Sequence, residues 1–258
     1  MLAVNADDWG RSRAETDAAL QCHEKKRITS VSAMVFMEDS ERAAALAREG
    51  KIDVGLHLNF SEPFSGNPDA ATLVNSHRKI YSFLTRNKYA QLLYNPLLRE
   101  AFVFSCRAQI EEFARLYDKL PSRVDGHHHL HLCANVVLGD VIPPGMKVRR
   151  HFSFWPKEKS LLNRGYRSSV NWWLARKYRL ADYFFDLTQC IEEKKFNRVK
   201  ALARTNDVEL MTHPIIQSEI EHLMGDNFLA LLEDLEVTSS PPDALRLGTS
   251  LYDRVENF

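Results

Sequence analysis

The sequence predicts an α/β fold, a (β/α) barrel of about seven parallel strands whose closure is left open, formed as one domain over residues 1–258. Three observations carry this. Short apolar runs rich in β-branched residues alternate with segments of helical periodicity. A chain of 258 residues, 45% hydrophobic and 26% charged, can bury one large core at the size where α/β barrels stay undivided. The apolar runs end in acids and histidines, as strands do on the active face of such folds. An open doubly wound sheet is the alternative.

The first apolar run, Leu2-Ala3-Val4, stops at the polar stretch Asn5 to Gly10. Ser12, with Glu15 three residues on, reads as a capping box that starts a helix near Arg13. Ala14, Ala18, Ala19 and Cys22 supply its apolar stripe, and Lys25-Lys26-Arg27 closes it with charges suited to a helix C-terminus. A strand over 28–36, a helix from Ser40 to Gly50 and a strand over 54–60 follow. Residues 61–100 read as irregular, and 106–120 as helical. The runs 124–132, 146–150, 208–213 and 244–249 read as further short strands, with 227–236 helical. No internal repeat, low-complexity tract or glycine-rich phosphate loop is present.

Composition narrows the function classes. Lys plus Arg and Asp plus Glu both total 34, so no net charge is available to draw in nucleic acid or an anionic membrane over long range. The four cysteines, Cys22, Cys106, Cys133 and Cys190, lack C-x-x-C spacing and read as free, buried thiols. The N-terminus lacks the basic, apolar and cleavage regions of a signal peptide, and no apolar stretch approaches the roughly 20 residues of a membrane span. The expectation is a cytoplasmic, soluble protein, and a homodimer on base rates alone.

Four strand ends carry the chemistry: Asp7-Asp8, His57 with Asn59, the histidine run from 127, and His213. In "DGHHHLH", over residues 125–131, an extended backbone would face Asp125, His127, His129 and His131 one way and His128 the other. Three imidazoles and a carboxylate on one buried face are costly without a partner, and a divalent metal is the natural one. One metal needs two or three of these groups, and Asp125 with some of the remaining histidines, His129 and His131 among the candidates, would orient the ligands. Asp7 and Asp8 pose a geometric problem, because adjacent strand residues point apart. The expectation is that the pair sits where the strand has ended, at the exit that leads into the Trp9-Gly10 turn and the helix cap at Ser12.

"NADDWG", "GLHLNFSE", "DGHHHLH" and "THP", in that order, resemble the YdjC-like carbohydrate deacetylases, the group that includes chito-oligosaccharide deacetylases and hopanoid-associated homologues. The resemblance runs from Asn5 to about Tyr252. It implies an irregular (β/α) barrel and a metal-dependent hydrolase that removes N-acetyl groups from an amino sugar or oligosaccharide. Carried over by motif, Asp8, His57 and His127 are the metal ligands, Asp7 the catalytic base and His213 the general acid. Arg149 falls near the pocket. Trp9 stands where phenylalanine is common and Gly126 where serine is common, and neither change removes a ligand.

The chemistry is self-consistent. Amide hydrolysis needs an activated water, a stabilised oxyanion and a proton for the leaving amine, and this set offers one candidate for each role. Sugar recognition would draw on Trp9, Asn59, Arg149 and Trp155. The resemblance favours Mg²⁺, two or more histidine ligands favour Zn²⁺ in principle, and carboxylates admit Mn²⁺. The alternatives are a metal-dependent phosphoesterase and a non-catalytic protein that binds metal and saccharide. The sequence does not identify the sugar, its chain length, or whether it is free or lipid-linked.

Overall fold

The structure, a computed structural model, describes residues 1–66, 68, 70–155, 158, 160–233, 235 and 237. Six parallel strands form one sheet: β1 (Leu2–Trp9), β2 (Ser30–Ala33), β3 (Asp53–Leu58), β4 (Val124–Gly126), β5 (Tyr183–Asp186) and β6 (Val208–Thr212). Their order across the sheet is β4-β3-β2-β1-β6-β5, so the sheet curls into a half-barrel with helices on its flank and β4 and β5 at its edges. The predicted α/β architecture stands, with six strands described. The run 244–249 lies outside the described residues.

The helices are α1 (Arg13–Glu24), α2 (Ser40–Glu49), α3 (Ala71–Leu84), α4 (Arg99–Tyr117), α5 (Ala134–Gly139), α6 (Leu161–Ala175), α7 (Leu187–Cys190), α8 (Glu193–Ala203), α9 (Gln217–Met224) and α10 (Asp226–Glu233). The 61–100 stretch is therefore not all irregular, since it contains α3, which buries Leu73, His77, Ile80 and Leu84 at helical spacing. The 146–150 run is not a strand. It makes only single bridges, Val148 to Val124 and Lys147 to Arg179. The strand that sequence reading missed is β5, whose Phe184 and Phe185 are buried within an aromatic run.

β1 is buried along nearly its whole length because it is covered on both faces, as parallel strands are. Its polar residues are satisfied inside the sheet. Ser30 Oγ donates to Asn5 Oδ1 at 2.9 Å, Asn5 Nδ2 donates to Ser32 Oγ at 2.8 Å, and Ser32 Oγ donates to Asp125 Oδ2 at 2.6 Å. α1 starts at Arg13 as predicted, but the capping box does not form. Ser12 Oγ turns to the Glu15 carboxylate and makes no bond to a helix N–H. The four cysteines are buried and free, as expected.

Candidate active site

Asp7 and Asp8 both turn into the site by a device that the sequence reading did not contain. β1 does not end before them. It continues to Trp9 through a shift of register between Ala6 and Trp9, and Asp8 takes a φ of 66°. The irregularity defeats the strand alternation and lets adjacent carboxylates converge. Gly10, at φ 83°, completes the turn toward α1.

The histidine run is also not extended. β4 stops at Gly126, and His127–Leu132 coils into a 3₁₀ segment interrupted by left-handed backbone at His128 (φ 52°) and His129 (φ 58°). A Cβ on Gly126 would lie 2.9 Å from the His131 nitrogen, so glycine here permits the fold-back. His127 consequently reaches Asp8, with Nδ1 2.8 Å from Oδ1. His128 points to solvent, and His129 lies edge-on to Phe152 at 4.6 Å. His131 is wholly buried and donates from Nε2 to the Arg149 carbonyl at 3.0 Å. The predicted common face of Asp125, His127, His129 and His131 does not exist.

One donor atom each from Asp8, His57 and His127 lies within 4.8 Å of the other two, and all three residues are buried. His57 Nε2 is 3.3 Å from Asp8 Oδ1, while its Nδ1 donates to Asp125 Oδ1 at 2.7 Å. A carboxylate behind the imidazole is the usual support of a metal-binding histidine. A second group, Asp7, His57 and Asp125, shares His57, but Arg149 already occupies its carboxylates.

The electrostatics fit a cation. Asp7, Asp8, Asp125 and Glu209 are all buried, and Arg149 bonds three of them at 2.7 to 2.8 Å. Burial would pull His57 down, but Asp7, Asp125 and Asp8 raise it to about 10. Burial raises Asp8, yet His127 and His57 hold it well below the usual carboxylate range. The carboxylates around His57 thus favour a positive charge at this place, which a metal ion would supply. His127 Nε2 is buried with no hydrogen-bond partner. The set Asp8, His57 and His127 could therefore hold a divalent ion.

His213 follows β6 and is half-buried. With Asp7, Asp8, Glu15, Pro214 and Ile215 it lines a narrow cleft. In this conformation the cleft is closed to a water-sized molecule. The buried Glu219 carboxylate fixes the His213 backbone, accepting from His213 N at 2.6 Å and from Thr212 Oγ1 at 2.7 Å, and also from Thr188. Asp186, raised by burial and by Glu219, interacts electrostatically with His213. Glu219, Asp186 and Glu209 were missed. Only the acid six residues after His213 was a signal in the sequence.

Other predicted sugar contacts are structural. Trp9 is fully buried, and its indole donates to the Ala43 carbonyl at 3.2 Å. Trp155 is 8% exposed and packs on Phe185, with Arg198 over its ring. Neither offers an open face to a sugar. Asn59 has no exposure, and its side chain shapes the following loop, accepting from Ser61 N and Glu62 N and donating to the Glu62 carbonyl. That loop brings Glu62 Oε1 to 3.9 Å from His127 Nε2, with Arg11 bonded to Glu62 at 2.8 Å. Arg149 is buried beside the cleft but engaged by carboxylates.

The family model described as YdjC-like protein matches residues 1–242. The chain belongs to the YdjC-like family. A YdjC-like relative from Proteus mirabilis, named chitooligosaccharide deacetylase, is 27% identical over 92% of this chain and 89% of its own length. A Serratia marcescens protein of the same name is 30% identical over 51% of each chain. A Danio rerio carbohydrate deacetylase is 30% identical over 52% of this chain and 43% of its own. These last two matches span about half or less of the relatives' length. Among solved structures, an Enterococcus faecalis protein provisionally described as a cellobiose-phosphate cleavage protein superposes with a TM-score of 0.63 at 18% identity, covering 93% of this chain and 96% of that one. That likeness extends the YdjC-like chain's fold assignment and nothing more.

Proposed function

We propose that this YdjC-like chain is a carbohydrate deacetylase that hydrolyses N-acetyl groups on an amino sugar or oligosaccharide with a divalent metal at Asp8, His57 and His127. One observation carries the reading: Asp8, which lies with His57 and His127 in one buried donor group, also lines a small cleft together with Asp7 and His213. A divalent ion there would supply Lewis-acid polarisation of an acetyl carbonyl and a more acidic water.

The chain's own residues account for the proton movements. Asp7, held by Arg149 and by Asn5 Nδ2 at 2.8 Å, is a fixed acceptor for a proton from water. His213, across the cleft, is the donor to the departing sugar nitrogen. Glu219 holds its backbone in place. Asp125 orients His57. Mg²⁺ is the ion we assign from the family resemblance. One domain over 1–258 and a cytoplasmic setting complete the proposal.

The test is acetate release from N-acetylated monosaccharides and chito-oligosaccharides by metal-stripped protein reconstituted with Mg²⁺, Mn²⁺ or Zn²⁺. Metal-dependent acetate is the expected result, and the preferred ion identifies the cofactor. Phosphate release from sugar phosphates without any acetate would sink the assignment.

A further inference from the structure

The balanced charge of the whole chain conceals a strong local excess. Residues 141–181 contain ten lysines and arginines and one acid, Glu158. Arg149 is buried among carboxylates and Lys177 pairs with Asp140, while Arg164, Arg167 and Arg176 lie on or directly after α6, which is nearly all solvent-facing and buries only Asn171 and Leu174.

The exposed face of α6 is apolar where a surface helix is normally polar. Leu161 is 83% exposed, Leu162 88% and Trp172 62%. Leu161 and Trp172, and likewise Leu162 and Trp173, are eleven residues apart. Three helical turns return such pairs to within about 20° of each other. They form two parallel apolar rows, with Tyr166 beside the second. Arg164 and Arg176 are exposed around the rows, and Arg176 lies over the Trp172 ring at 4.7 Å.

We propose that α6 docks this protein onto an anionic lipid bilayer, with Leu161, Leu162, Trp172 and Trp173 in the headgroup–acyl boundary and the surrounding arginines on lipid phosphates. Leucine and tryptophan beside Lys/Arg on one helix is the pattern of an interfacial helix, and a local basic cluster is attracted by an anionic leaflet despite zero net charge. A second copy of the chain fits less well, because a twofold contact would set this basic surface against itself. Nucleic acid would satisfy the charges but leave the apolar rows exposed. α6 also packs toward the end of the histidine run: Tyr166 is edge-on to His151 at 5.8 Å, and Arg167 lies over Phe152, which packs on His129.

The test is flotation of the full chain with phosphatidylcholine vesicles that contain phosphatidylglycerol, and with phosphatidylcholine alone, at low and high salt. Binding is expected on the anionic vesicles only, weakening as salt rises. L161S/L162S/W172S, at exposed positions that leave the core intact, is expected to lower it by about tenfold or more, and R164Q/R176Q to weaken it and flatten its salt dependence. Matched circular-dichroism melting curves control for folding. No preference for anionic vesicles, or binding untouched by both variants, would overturn the proposal. So would a dimer lost in the leucine variant without vesicle binding, or duplex DNA bound in place of vesicles. Acetate release enters none of these outcomes, so failure of the proposed reaction is read separately.

Discussion

Arg149 grips Asp7 through both carboxylate oxygens, with Nη1 2.7 Å from Oδ2 and Nη2 2.8 Å from Oδ1, and the same guanidinium reaches Asp125 and Glu209. It thereby joins residues from β1, β4 and β6. Asp7 held in this way cannot swing over to join Asp8, His57 and His127 as a ligand. We predict that Arg149→Lys, a point charge that cannot span the fork, lowers kcat by roughly 10- to 100-fold and stability by about 1–3 kcal/mol. Steady-state kinetics with denaturant titration checks this. Unchanged kcat at reduced stability would make Arg149 a brace alone.

The two adjacent aspartates should separate cleanly. Asp8→Ala removes a member of the donor set and is expected to abolish tight metal binding, whereas Asp7→Asn keeps the metal and loses turnover by about 10²-fold or more. Isothermal titration with Mn²⁺ and Mg²⁺, alongside acetate release, distinguishes the two. Equal metal loss in both variants would contradict the division of labour.

His131 makes acid pH a stability test. Burial pulls it from 6.5 to about 3, so the unfolded chain binds a proton that the folded chain refuses. Stability is therefore fully present above pH 6.5 and is lost as pH falls toward 3. His131→Gln, which can still donate to the Arg149 carbonyl, should flatten the fall in Tm over that window. A fall of the same steepness would assign the acid sensitivity to other groups.

Glu219 is expected to act on turnover through His213. Glu219→Gln disturbs the carboxylate that accepts from His213 N and Thr212 Oγ1, and we predict about a tenfold loss of kcat with KM little changed and roughly 1–2 kcal/mol of stability. If KM rises while kcat holds, the residue shapes binding and not proton delivery.

Much of the donor set was legible because it is written in local motifs. Asp7-Asp8, His57, the histidine run and His213 each end an apolar run, and strand ends gather at one face of a parallel sheet. The burial of the two tryptophans expected at the sugar was not legible in the same way. Trp9 and Trp155 lie beside the motifs in sequence, but large aromatic rings gain more by burial than by waiting for a ligand, and both are packed away.

By itself the sequence determined the α/β class, the parallel order of elements and the residue types that meet at the site, because apolar periodicity and strand-end chemistry are properties of short segments. Only the tertiary structure decided that Asp8 turns through a left-handed backbone within β1, that the histidine run coils after Gly126, and that Arg149 is shared among Asp7, Asp125 and Glu209. Each depends on partners up to 142 residues away along the chain. Backbone strain and ion pairing of this kind are settled by packing and charge balance across the sheet, which no local pattern encodes.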